Sequence, residues 1–158
     1  MLSEITSKLT AYKIPYNIIE HRAVFTVAES AHILPEKVPV KNLLLTEEKG
    51  EKLVLVVMKG DERLNIKKLA LALGTRKLQF ASADLLLQTL GVLPGSVSLF
   101  SMLTQNAKSV RLVLDERLRN AELLGFHPND NTKTIFISAR SVEQLLSNEE
   151  IKFEYLNI

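Results

Sequence analysis

The chain reads as a single mixed α/β domain over residues 1–158, with a mixed, largely antiparallel sheet flanked by short helices. Three observations predict this. Residues 40–46 and 52–58 are apolar, β-prone runs separated by Glu47, Glu48, Lys49 and Gly50, the pattern of an antiparallel hairpin. Helical segments fall between further strand-like runs, with no linker or low-complexity stretch. A chain of 158 residues, 46% of them apolar, is long enough to bury one core. The antiparallel hairpin argues against a purely parallel, doubly wound sheet.

Each element has a local reason. Ile5, Leu9 and Tyr12 recur at helical spacing, which predicts a short amphipathic helix over residues 3–13. Pro15 ends it, and residues 16–21 read as a strand. Thr26 with Glu29 forms a capping box, predicting a helix to about Leu34. Pro35 and Pro39 enclose a loop before the hairpin. The unbroken apolarity of residues 53–58 predicts a strand covered on both faces. Asn65 caps a helix through Leu73 that Gly74 stops, and Ser82 caps another through Leu90 that Gly91 stops. A short strand at 77–81 separates them. Strands follow at 110–114, 123–126 and 134–138, then a helix at 141–147 and a strand at 153–156.

Composition removes several function classes. With no cysteine, disulfides, thiolate catalysis and cysteine-ligated zinc are excluded. No His, Asp and Glu spacing suggests a metal site, and no cofactor is expected. A net charge of +2 is too small for a protein gripping a long duplex, so DNA is not an expected partner. Contact with one end of an RNA needs less charge. No apolar run reaches the ~18 residues of a membrane span. Met1, Leu2, Ser3 and Glu4 do not resemble a signal peptide. A soluble, cytoplasmic protein is the expectation.

Three distant stretches place polar or glycine-rich chemistry beside hydrophobic runs. Lys41 and Asn42 open a strand, where a lysine is either a solvated strand end or a cation aimed at a phosphate or carbonyl. Pro94 and Gly95 form the centre of a type II turn. That turn is either a plain connection or a loop whose N–H groups at Gly95, Ser96, Val97 and Ser98 receive an oxyanion. His127, Pro128, Asn129, Asp130, Asn131 and Thr132 make a polar turn that closes a strand pair or lines a pocket. Ser96 or Ser98 with His127 and Asp130 is a poor triad, because no GxSxG elbow is present. Arg63, Lys67, Lys68, Arg76 and Lys77 form the densest basic stretch, a solvated helix face or a contact for an RNA backbone.

In this order and spacing, the three stretches resemble the YbaK/ProX family of prolyl-tRNA editing domains, and within it the freestanding deacylases of alanine mischarged onto proline tRNA. Residues 21–30 look like that family's "HPAVFTVEES" opening, Lys41, Asn42 and Leu43 like its lysine–asparagine strand, and residues 125–132 like its "GFHP..NT" turn. Residues 76–81 and 90–98 look like its central segment. Three positions depart from the family pattern. Leu99 stands where a proline closes the family's GxxxP loop, Ser101 where glycine is usual, and Arg22 where proline is usual. Leucine at 99 is expected to leave the loop freer.

The resemblance implies an aminoacyl-tRNA deacylase. Lys41 would hold the terminal phosphate or the substrate carbonyl, with Asn42 beside it. Main-chain N–H groups at Gly95, Ser96, Val97 and Ser98 would surround the carbonyl oxygen. His127 and Asn131 would close the pocket, and Phe25 and Thr26 would form another wall. On its charge alone, the basic stretch with Arg63, Lys67, Arg76 and Lys77 would touch the tRNA. The acceptor end of an aminoacyl-tRNA is the expected partner, with prolyl-tRNA synthetase as a second. The resemblance also leaves open a non-catalytic binding module of the same fold and an editor of cysteinyl-tRNA.

Overall fold

The computed structural model describes residues 1–23, 38, 40–49 and 52–158. The expected helix from Thr26, the loop between Pro35 and Pro39, and the candidate site residues Phe25 and Thr26 lie outside those residues. Helix α1 spans Leu2–Ala11 and strand β1 Asn17–Glu20. Strands β2 (Val40–Glu47) and β3 (Leu53–Lys59) form the expected antiparallel hairpin, with Lys41 opposite Met58 and Asn42 opposite Val57. Next come α2 (Ile66–Leu73), β4 (Leu78–Phe80) and α3 (Ala83–Leu90). Two 3-10 segments, Leu99–Leu103 and Gln105–Ser109, lead into β5 (Val110–Asp115). After β5 the chain forms β6 (Leu124–Phe126), β7 (Lys133–Ile137), α4 (Ala139–Asn148) and β8 (Phe153–Leu156).

The mixed, largely antiparallel character holds, but the strands divide between two sheets. One has the order β4-β2-β3-β5-β8, with β3, β5 and β8 parallel. The other, β1-β7-β6, is antiparallel throughout. The five-stranded sheet is covered on both faces, as β3 shows: Val54, Leu55, Val56, Val57 and Met58 are all at most 1% exposed. Burying such a side chain stabilises by ~1.5–3 kcal/mol. Leu44, Leu55 and Val57 pack with α1, α3, α4 and the three-stranded sheet. Leu45, Val54, Val56 and Met58 pack with Leu69 and Leu73 of α2.

Caps explain the helix bounds. The Asn65 side chain accepts the Lys68 N–H, and Gly74 ends α2 at φ 67°. Ser82 accepts the Leu85 N–H, and Gly91 ends α3 at φ 69°. Helix α4 starts two residues earlier than its periodicity suggests, because Ser138 caps it through the Ser141 N–H. Gly125 is required by contact: a Cβ there would lie 2.7 Å from the Phe136 ring. This close approach lets β6 sit flat on β7 just before the His127 turn.

Candidate active site

Residue spacing along β2 decides what meets the glycine loop. Side chains alternate between faces of a strand. Asn42 therefore shares the face of Leu44 and Val57, while Lys41 shares that of Leu43 and Met58. Asn42 Oδ1 accepts the Leu99 N–H at 3.0 Å, which ties β2 to the loop. The Lys41 ammonium instead donates to the Glu62 carbonyl, next to Arg63. Arg63 and Lys67 line a cleft of about 390 Å³ there. Lys41 thus lies with the basic segment, whereas Asn42 reaches the glycine loop. Arg76 and Lys77 lie exposed past the far end of α2, where Arg76 N–H donates to Glu47.

The turn itself is as expected. Gly95 has φ 88°, and Ser96 N–H closes the turn onto the Leu93 carbonyl at 3.0 Å. Not all four expected donors remain open. Ser96 N–H is taken by that turn, and Ser98 N–H points at Ser101 Oγ at 3.4 Å. The N–H groups of Gly95 and Val97 have no partner among the described residues. The Ser98 hydroxyl is fully buried and accepts the Phe100 N–H, capping the segment Leu99–Leu103. The loop is not left free by Leu99. Its N–H is held by Asn42 and its side chain is 1% exposed.

The third stretch reaches the same loop through Ser101, whose hydroxyl donates to Asn129 Oδ1 at 2.8 Å. Phe100 meets Phe126 edge-on at 5.8 Å, so the segment also packs on the strand that carries the His127 turn. His127 Nδ1 lies 3.0 Å from the Lys133 carbonyl, which assigns the proton to Nδ1 and leaves Nε2 as an acceptor. Burial, with a smaller contribution from nearby His21, pushes the His127 pKa below its ordinary value. His21 lies 6.2 Å from His127 ring to ring, with Nε2 2.7 Å from Thr134 Oγ1. Asp130 is engaged by Thr132 and Lys133, which lower its pKa to about 2. It is not oriented on His127 by any hydrogen bond, so no Ser-His-Asp triad is assembled. Asn131 makes no side-chain hydrogen bond among the described residues.

Two residues here, His21 and Asn129, were not named as candidate site residues, although Asn129 lies in the expected polar turn. His21 stands at the head of the 21–30 segment, and the resemblance of that segment was its available signal. Asn129 adopts the left-handed conformation at φ 59°, which asparagine enters more readily than other residues with a Cβ. Its Nδ2 is buried without a partner among the described residues. A cleft of about 910 Å³ between the segment Gln105–Ser109, the start of β5 and the start of β8 contains none of the expected site residues.

The family model of the aminoacyl-tRNA editing domain matches residues 21–145, most of the chain and all three stretches. The chain belongs to the aminoacyl-tRNA editing domain family. The reaction class of this editing domain is deacylation, hydrolysis of the ester between an amino acid and its tRNA. The prolyl-tRNA editing protein ProX of Acetoanaerobium sticklandii is 35% identical over 156 residues, covering 98% of this chain and 95% of that protein. A candidate proline–tRNA ligase of Schizosaccharomyces pombe is 29% identical over 142 residues, which are 83% of this chain but 20% of the ligase. Among solved structures, a candidate trans-editing enzyme for prolyl tRNA synthetase shares the fold with a TM-score of 0.73 at 19% identity, covering 96% of this chain and 92% of that one. Among the described residues of this editing domain, no helix is long and apolar enough to cross a membrane.

Proposed function

We propose that this editing domain, working as one unit over residues 1–158, acts in trans in the cytoplasm on mischarged proline tRNA. It hydrolyses alanyl-tRNA(Pro) to alanine and free tRNA. The observation that carries the reading is the convergence of the three stretches on one turn. Asn42 holds Leu99, Asn129 holds Ser101, and the turn beside them presents two main-chain N–H groups without a partner among the described residues. The full-length likeness to a prolyl-tRNA editing protein supports the choice of tRNA.

In this reading the ester carbonyl oxygen lies against the Gly95 and Val97 N–H groups. Water adds to the carbonyl carbon, and the oxyanion that forms gains two fixed donors. The ester C–O bond then breaks and the proton passes to the ribose oxygen. An aminoacyl ester is reactive enough that no activated side-chain nucleophile is needed, in keeping with the capped, buried Ser98 hydroxyl. His127, Asn131, Phe25 and Thr26 bound the amino-acid pocket. The pocket works as a second sieve, because a proline-sized synthetase site rejects the smaller alanine by only ~1–3 kcal/mol per missing methylene. Lys41, Arg63 and Lys67 meet phosphates of the acceptor end from the α2 side, with Arg76 and Lys77 farther along. A prolyl-tRNA synthetase is the partner that this arrangement suits, since a proline–tRNA ligase carries a related segment.

A deacylation panel tests the reading. Catalytic amounts of protein should release amino acid from alanyl-tRNA(Pro) over many turnovers and spare prolyl-tRNA, with cysteinyl- and seryl-tRNA as comparisons. Survival of alanyl-tRNA at the uncatalysed rate would leave a binding module. Faster loss of cysteinyl-tRNA would move the substrate.

A further inference from the structure

The sequence departs from the family pattern at Ser101, and the structure gives that serine a partner in a different stretch. Ser101 is fully buried. Its hydroxyl faces the Ser98 N–H and donates to Asn129 Oδ1. Asn129 keeps the left-handed conformation, and its Nδ2 is buried without a partner among the described residues. A buried donor left unpaired among the described residues persists where neighbouring structure fixes the residue that carries it. The neighbouring structure here is the Ser98 turn. Glycine at 101 would supply no hydroxyl, and without an acceptor at 129 the hydroxyl would have no fixed direction.

We propose that Ser101 and Asn129 form a latch that positions the glycine loop for deacylation. Asn129 acts through Ser101 and is a positioning residue; it does not touch the reacting atoms. The latch orients Ser98, and the peptide unit before it carries the Val97 carbonyl next to the Val97 N–H donor. Loss of the latch widens the spread of loop conformations, so a smaller fraction of bound ester meets both donors. The inference rests on the proposed deacylase reading for its kinetic consequence, and on geometry alone for its effect on the loop.

Asn129→Gly and Ser101→Ala are the variants to make, since glycine accepts φ 59° without strain. In alanyl-tRNA(Pro) deacylation each should lower kcat by about 10-fold with KM within about twofold, the pattern of an interaction needed in the transition state only. The double variant should be no slower than the slower single, because residues acting as one unit are not additive. A rise in KM with kcat unchanged, or two additive losses, would overturn the latch. Thermal denaturation of the same variants separates positioning from unfolding: a melting temperature that falls enough to unfold the protein at assay temperature disqualifies the kinetic comparison. Amide exchange then decides. Ser98, Leu99 and Phe100 amides should exchange roughly 10-fold faster in both variants as the local opening free energy falls. Unchanged exchange sinks the proposal. If wild-type protein shows no deacylation, the function reading fails by itself, and the exchange result still accepts or rejects the latch.

Discussion

Lys41 and Asn42 are neighbours in sequence and belong to opposite faces of β2. Asn42 meets the Leu99 N–H on the face that carries the glycine loop and the His127 turn. Lys41 meets the Glu62 carbonyl on the α2 face, beside the cleft lined by Arg63 and Lys67. A two-residue motif that looks like one functional unit is therefore two. One half ties to the glycine loop and the other half faces a basic surface. The physical cause is the period-2 alternation of a strand, which a motif read as a string does not display.

This difference predicts different kinetic failures. Asn42→Ala removes the acceptor that holds Leu99 and leaves a buried main-chain donor unpaired, a loss of ~1–3 kcal/mol. Deacylation at saturating alanyl-tRNA(Pro) should fall by up to ~10²-fold, with tRNA binding nearly retained. Lys41→Ala should do the reverse. It should weaken tRNA binding by about 10-fold and reduce the slope of log affinity against log salt by about one, as loss of a single phosphate contact does. Single-turnover rates and binding measured across salt concentrations distinguish the two variants. If Lys41→Ala lowers the saturated rate as far as Asn42→Ala does, Lys41 reaches the reacting ester and the two faces share one task.

A smaller effect is expected at Leu99, where the same loop can be probed without touching β2. Proline there would set φ near −65°, which suits the first residue of a helical turn. It would also delete the N–H that Asn42 accepts. Gain and loss oppose each other, so Leu99→Pro should slow deacylation by only about fivefold, about 1 kcal/mol, the worth of one ordinary hydrogen bond. In the Asn42→Ala background that bond is already gone, and proline should then be neutral or helpful. A measured loss that is equally large in both backgrounds would show that Leu99 is held by its buried side chain and not by Asn42.

What could be read in advance follows the range of the forces involved. Helices α2 and α3 have the expected bounds because Asn65, Gly74, Ser82 and Gly91 act within one turn of themselves. The burial of β3 on both faces was legible in six consecutive apolar residues, 53–58. The division into two sheets was not, since it depends on β1 pairing with β7, where Asn17 lies opposite Phe136. The segment Leu99–Leu103 is too short to show a period, and its capping box uses Ser101 where Glu or Gln is usual. In the polar turn, Asn129 and Asn131 are equivalent as letters. Only the fold shows that Asn129 reaches Ser101 while Asn131 makes no side-chain hydrogen bond among the described residues.

The mildest test uses pH and concerns the His127 side of the loop. Nδ1–H is directed at the Lys133 carbonyl, so the neutral ring leaves Nε2 as an acceptor. Protonation would turn that acceptor into a donor and add a charge beside His21. Burial, and then His21, favour the neutral form, whereas the Lys133 carbonyl and Asp130 favour the charged one; the net shift is downward. Asp130, with its pKa near 2, stays ionised and does not titrate in the same window. The deacylation rate should therefore be flat at neutral pH and fall below the ordinary histidine range of about 6.5. Stability should follow the same sign. The unfolded chain binds the His127 proton at higher pH than the folded one, so this contribution is complete above about pH 6.5 and is lost as pH falls through the lower folded value. In His127→Gln the fall of rate with acid should flatten by a few fold, while the ester's own hydroxide-dependent hydrolysis remains as a background. A profile identical to that of the wild type would assign the acid limb to another group and remove His127 from the pocket's chemistry.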